Sequence, residues 1–211
     1  MTWSLSRLQT YEGCAKKYEF RYVQGLKSDA GPAAARGNLK HKSIEDYING
    51  VSLLPTELAH YGPFLDHTKT LGGQAELQMA LNKAWEPVPW DSPDVELKSV
   101  LDLLVLGPTE ATVFDWKTGK IYDSHEDQKD LYSIIVLATH PELYQVRAVH
   151  VYVDLGKNRE KTIHRDQASA IRTRFEARVA RMESDKEFIP NPTFMCRYCS
   201  FSRFNGGPCK F

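Results

Sequence analysis

The chain has 211 residues, enough for one domain with a small appendage, and at 42 % hydrophobic and 26 % charged its composition is that of an ordinary globular protein. Its longest apolar runs fall far short of a membrane span, and the N-terminus lacks the charged-then-apolar order of a signal peptide. The expectation is a cytoplasmic protein with no membrane partner, where paired cysteines point to metal before disulfide. Net charge is zero but unevenly spread: Lys/Arg against Asp/Glu number 8 to 4 in residues 1–45, 7 to 17 in 46–155, 8 to 3 in 156–181 and 4 to 3 in 182–211. An acidic middle between basic ends suits a cation site with phosphate-binding walls, and equally suits chance patterning.

Residues 4–24 set Leu5, Leu8, Tyr11, Tyr18, Tyr22 and Val23 at helical spacing against Arg7, Lys16, Lys17 and Arg21, with Ser4 and Ser6 as candidate N-caps. Gly25 and the stretch 28–33, which holds Gly31 and Pro32, break the pattern. A second helix is predicted over roughly 36–48. Residues 50–92 carry turn signals at Pro55, Gly62–Pro63 and Gly72–Gly73, then an apolar–polar alternation from Glu76 to Leu81. Two β-rich runs, Leu97–Leu106 and Thr112–Lys117, flank Gly107-Pro108-Thr109-Glu110, with proline at the second turn position. A helix over 126–139 and a strand over 146–155 follow. Asp166 then caps a long amphipathic helix bearing Arg172, Arg174, Arg178 and Arg181, and Pro190 and Pro192 stand ahead of a cysteine-bearing tail. The order of elements predicts an α/β domain with a mixed sheet. No Walker loop, His-Glu-x-x-His zinc motif or Rossmann glycine pattern is present, so ATPase, metalloprotease and dehydrogenase readings lack support.

On a strand, Asp115 and Lys117 project from one face and Trp116 from the other. If Pro108–Thr109 is a two-residue loop, opposed residues have numbers summing to 217, and Asp102 faces Asp115 across the hairpin. Two carboxylates that close repel unless a proton or a cation lies between them. Mg²⁺ favours one or two carboxylates, waters and substrate phosphate oxygens. Lys117 is placed to neutralise charge developing on phosphorus. Most Asp-x-Lys pairs on strands are solvated surface pairs. Asp102 argues otherwise, because it interrupts the apolar run Val100-Leu101-Asp102-Leu103-Leu104, where an unpartnered charge is costly.

Leu101-Asp102-Leu103-Leu104 followed by Phe114-Asp115-Trp116-Lys117-Thr118-Gly119-Lys120 resembles the active-site hairpin of the PD-(D/E)xK nuclease superfamily. More narrowly it resembles the RecB-like exonucleases and the CRISPR-associated adaptation nucleases. There, a helix with a metal-binding histidine precedes the first aspartate, and a helix with Gln-x-x-x-Tyr follows the lysine. His41 in Arg36-Gly37-Asn38-Leu39-Lys40-His41, and Gln128 and Tyr132, occupy those places in order. The resemblance implies a restriction-endonuclease-like core, a central mixed β-sheet flanked by helices. It implies a metal-dependent DNA exonuclease acting on single-stranded DNA or DNA ends in DNA repair or recombination, with a recombination or replication protein as the expected partner. His41, Asp102, Asp115 and the Trp116 carbonyl would bind Mg²⁺ or Mn²⁺, Lys117 would be the catalytic lysine, and Gln128 and Tyr132 would lie near the DNA backbone. A basic channel for the strand is expected from the N-terminal segment and the arginine-rich helix. One departure is Val100, where the family often has glycine.

Cys196-x₂-Cys199 and Cys209 offer three thiols in the tail, and Cys14 supplies a fourth from far off in sequence. Four thiolates suit a [4Fe–4S] cluster or Zn²⁺, and spacing does not choose between them. The layout is similar to the iron–sulfur staple of RecB-like nucleases, which implies a [4Fe–4S] cluster on Cys14, Cys196, Cys199 and Cys209 joining the tail to the N-terminal helix. Nine residues separate Cys199 from Cys209, more than that family commonly shows. The domain expectation is one nuclease domain over 1–211, with 1–30 and 187–211 as the cluster-binding lobe and 36–185 as the catalytic core. The rival reading is a catalytically silent DNA-binding or partner-binding module, stapled by Zn or Fe–S.

Overall fold

A computed structural model of the chain describes residues 2–28 and 31–211, with the backbone alone for Pro32. Asp29 and Ala30, inside the predicted break at 28–33, lie outside the described residues, as does Met1 of the expected lobe. The chain divides into two compact units, Trp3–Gly31 with Arg174–Phe211, and Thr2 with Pro32–Thr173.

The N-terminal segment is predicted as one helix but forms two, α1 (Leu5–Gly13) and α2 (Ala15–Tyr18), followed by a π-helical turn over Glu19–Val23. Ser4 caps α1 as expected, its hydroxyl accepting from the Arg7 N–H. The break falls at Cys14, whose extended backbone (φ −165°, ψ 109°) stops the helical ladder.

The larger unit begins with α3 (Pro32–Ile48), one turn earlier than its apolar pattern predicts, and continues through a 3₁₀ turn into α4 (Gly62–Thr70). Five strands form its sheet: β1 (Gln74–Leu81), β2 (Leu97–Leu106), β3 (Glu110–Lys117), β4 (Gln145–Tyr152) and β5 (Lys157–His164). Their spatial order is their chain order; β3 and β4 run parallel and the other neighbouring pairs antiparallel. The parallel pair requires a crossover, which α5 (Glu126–Thr139) supplies, buried from Lys129 to Leu137. On the opposite face Ile44 and Ile48 of α3 and Leu65 of α4 pack on Leu103, Phe114, Trp116, Val149 and Val151. This is a five-stranded mixed sheet flanked by helices, consistent with a restriction-endonuclease-like core.

The hairpin between β2 and β3 closes with the Gly107 N–H donating to the Glu110 carbonyl, and its pairs Leu103–Phe114 through Leu106–Ala111 keep the predicted register. Val100, the departure noted above, sits in regular pairing with Gln78 of β1. The chain leaves the sheet through α6 (Ala168–Ser184), and the boundary between the two units falls within this helix.

Candidate active site

At the open end of the β2–β3 hairpin the ladder stops at Leu103–Phe114, one pair short of Asp102 and Asp115. The Asp102 carboxylate replaces the missing backbone bond: its Oδ2 accepts from the Trp116 N–H at 2.8 Å and lies 3.1 Å from His41 Nδ1 of α3. Trp116 is fixed from the other side of the sheet, stacked on Phe114. Alternation along β3 therefore points Asp115 and Lys117 the opposite way, and Lys117 Nζ stands 2.5 Å from Asp115 Oδ2. The side chain of Gln128, on α5, holds both. Its Oε1 accepts from Lys117 at 2.5 Å, and its Nε2 donates to Asp115 Oδ1 and to the Tyr132 hydroxyl, each at 2.7 Å. One helix turn separates Gln128 from Tyr132, so both reach the same face.

Asp115 is only 2 % exposed. Burial, then the charge of Asp102, outweigh the attraction of Lys117 and His41 and push its carboxyl up to about 7. Burial alone would lower His41, but the hydrogen bond to Asp102 and the charges of Asp102 and Asp115 overcome it and raise the imidazole. A carboxylate absent from the sequence expectations joins this group. Glu76 of β1 stands opposite Asp102 in register but drops out of the ladder with a left-handed φ of 51°, which costs a residue other than glycine about 1–3 kcal/mol. The ligand atoms of His41, Glu76 and Asp102 all lie within 4.8 Å of one another. Burial and then the Asp102 charge raise Glu76 as well. Crowded, partly desolvated carboxylates beside an imidazole are relieved by a divalent cation, and the oxygen–nitrogen donor set suits Mg²⁺ or Mn²⁺.

The sequence profile of the PD-(D/E)XK nuclease superfamily matches residues 2–204. The chain belongs to the PD-(D/E)XK nuclease superfamily. Members of the superfamily are nucleases, imply DNA as substrate and generally use Mg²⁺ or Mn²⁺. Two solved structures share the fold. The crystal structure of SSO0001 is similar at a TM-score of 0.51 and 17 % identity, over 100 % of this chain and 87 % of that one. A candidate exonuclease from Eubacterium rectale is similar at a TM-score of 0.58 and 13 % identity, over 97 % of this chain and 88 % of that one. No match is found among curated protein sequences.

Within this PD-(D/E)XK core the structure brings together His41, Asp102, Asp115, Lys117, Gln128 and Tyr132 around the end of β3. Tyr132 is 8 % exposed and its hydroxyl accepts from Gln128, so the pair braces Asp115 and Lys117 from behind. His150 carries no motif signal in the sequence. It is the residue of β4 paired with Asp115, buried, with Nε2 3.9 Å from Asp115 Oδ2 and no hydrogen-bond partner for either ring nitrogen among the described residues. Burial, then Lys117 and Lys129, push it down to about 2, so it stays neutral. Two arginines of the expected channel have partners within the described residues. Arg178 grips both oxygens of Glu12 at 2.7 Å, and Arg172 donates to the Ala84 carbonyl and lies over the Trp85 ring.

All four cysteines line one small cavity of the other unit, with Phe20, Phe201 and Phe211. Two backbone N–H groups point at sulfur: Asn191 donates to Cys14 Sγ at 3.4 Å and Thr193 to Cys196 Sγ at 3.5 Å.

Proposed function

We propose that this protein is a metal-dependent deoxyribonuclease of the RecB-like type, an exonuclease hydrolysing phosphodiester bonds of single-stranded DNA or DNA ends in the cytoplasm. One observation carries the reading: an Asp115–Lys117 pair locked by Gln128, next to a His41–Glu76–Asp102 group able to hold a cation. A solvated surface aspartate would not be buried, braced from a helix behind it and raised in pKa by that burial and by a second carboxylate.

In this proposal His41, Glu76, Asp102 and Asp115, with the Trp116 carbonyl, hold Mg²⁺ or Mn²⁺. A cation there supplies Lewis acidity at the phosphoryl oxygen. Lys117 is the catalytic residue: its ammonium, held by Asp115 and Gln128, has a third N–H left for the phosphate oxygen on which charge grows as water attacks phosphorus and the P–O bond to the leaving sugar breaks. Gln128 and Tyr132 are positioning residues that fix the direction of that N–H. Exonuclease action is suggested by the family resemblance and by the designation of the Eubacterium rectale neighbour.

The four cysteines are proposed to hold a [4Fe–4S] cluster, making their unit a cluster-binding lobe. Support comes from the shared cavity and from the N–H groups aimed at Cys14 and Cys196, the bonds that thiolates accept. The cluster reading is tested by iron and sulfide analysis of protein purified without oxygen, and zinc in their place would overturn it. The nuclease reading is tested by Mn²⁺ titration, followed by calorimetry on wild type and by cleavage of a labelled single strand. One cation bound per chain with cleavage that tracks its occupancy is expected; cleavage unchanged in EDTA would refute the metal assignment.

A further inference from the structure

Next to the candidate site, a groove of about 770 Å³ runs between α3 and the loop leaving β3. Its walls continue the site directly: Lys40 precedes His41, and Thr118 to Lys120 follow Lys117. The two walls are pinned together. Asp154 accepts from the Gly119 N–H at 2.9 Å and from Lys40 Nζ at 2.5 Å, and Gly37 lets α3 approach so closely that a methyl group there would meet Thr118 Oγ1 at 3.0 Å. Gly119 itself has φ +78°, a conformation that favours glycine. The groove is therefore a shaped surface with little left to order on binding.

Its charges fall into two groups. Lys40 is occupied by Asp154 and by Glu57, 3.6 Å away. Arg36 and Lys120 are exposed, and no hydrogen bond or ion pair holds either of them among the described residues. Tyr122 lines the same groove, 57 % exposed and propped by an edge contact from His125 at 5.4 Å. Loose cations and an exposed aromatic ring in one groove are the chemistry of unpaired nucleic acid: the cations take phosphates, and the ring offers a face for stacking. In a duplex both faces of a base are covered by its neighbours, so a stacking face is free only where the strand is unpaired.

We propose that this groove is the subsite for the unpaired nucleotide next to the scissile phosphate, with Tyr122 stacking its base and Arg36 and Lys120 binding the flanking phosphates. The inference rests on the nuclease reading and names the residues that would make it select single strands. Selection is by strand form, since stacking on tyrosine tolerates every base.

The test measures equilibrium binding of a fluorescent single-stranded oligonucleotide to the full chain, with Ca²⁺ in place of Mn²⁺, and then the cleavage rate in Mn²⁺. Wild type, Tyr122→Ala, Tyr122→Phe and Lys120→Ala are compared, each checked by thermal melting. Tyr122→Ala should weaken binding roughly 5- to 150-fold, the loss of one stacked base, and Tyr122→Phe should restore most of it. Lys120→Ala should reduce the slope of log affinity against log salt by about 0.7, one phosphate contact of a single strand. Folded Tyr122→Ala that binds and cuts like wild type would overturn the proposal, as would equal losses on a blunt hairpin duplex. Wild type that binds in a Tyr122-dependent way yet cuts nothing in Mn²⁺ would refute the nuclease reading and leave the groove standing.

Discussion

Asp115, Glu76 and His41 share one problem: each is drawn toward its protonated form by burial or by its neighbours, yet a cation needs all three without the proton. With Asp115 raised to about 7, metal binding at pH 6 must expel a proton that is already gone at pH 8, and the rise of His41 adds to the competition in the same direction. Apparent Mn²⁺ affinity should therefore fall at least about tenfold per pH unit below 7, read as a smaller Mn²⁺-induced rise in melting temperature at pH 6 than at pH 8. The sign follows for the metal-free fold. Because the folded pKa of Asp115 is raised, its ionisation costs stability as pH climbs from about 4 to about 7, and the cation offsets that cost. Glu76→Gln should raise the melting temperature of metal-free protein while lowering Mn²⁺ affinity on the order of 10–100-fold, and a variant with unchanged affinity would remove Glu76 from the ligand set. Asp102, Asp115 and Lys117 are legible in the sequence because a two-residue turn fixes their register. Glu76 is not, because fifteen residues separate β1 from β2 and no local turn sets which residue faces Asp102.

Among the elements, β2, the helix α5 and the hairpin between β2 and β3 read almost residue for residue, since each has strong periodicity and a clear turn or cap. Two did not. Gly62–Pro63 reads as a turn, yet proline in the first turn of a helix lacks only an N–H that would be unpaired anyway, and there it starts α4. Strand β5, Lys-Asn-Arg-Glu-Lys-Thr-Ile-His, is an edge strand with only Ile163 buried, so its sequence shows charge in place of alternation. The junction of α4 and β1 is tighter than its two glycines suggest. A methyl on Gly73 would meet the Thr68 carbonyl at 2.8 Å and Leu103 Cδ1 at 3.1 Å. Gly73→Ala should cost about 1–3 kcal/mol in denaturant unfolding, and because the strain lies three residues before Glu76 it should also weaken Mn²⁺ binding.

For the molecule as a whole, zero net charge conceals a division of labour. The acidic middle of the chain contains the carboxylates of the candidate site, and the four cysteines gather in the unit built from the two chain ends. Sequence spacing does not choose between iron and zinc, because four thiolates suit either. A cluster bridging Cys14 to the tail would close a loop of nearly the whole chain, so Cys196→Ser should lower the melting temperature by roughly 5–15 °C and abolish any iron–thiolate absorbance. Lys117→Ala should leave both intact while slowing cleavage at least about 10²-fold, which separates the staple from the chemistry.

The most direct test of the central claim is degradation of end-labelled linear single-stranded DNA in Mn²⁺ and in EDTA, by wild type and by Asp115→Asn. The account predicts release of label by wild type in Mn²⁺, none in EDTA, and none from folded Asp115→Asn, which should still bind the strand. Cleavage by Asp115→Asn at the wild-type rate, or a metal-replete wild type that degrades no DNA, would contradict it.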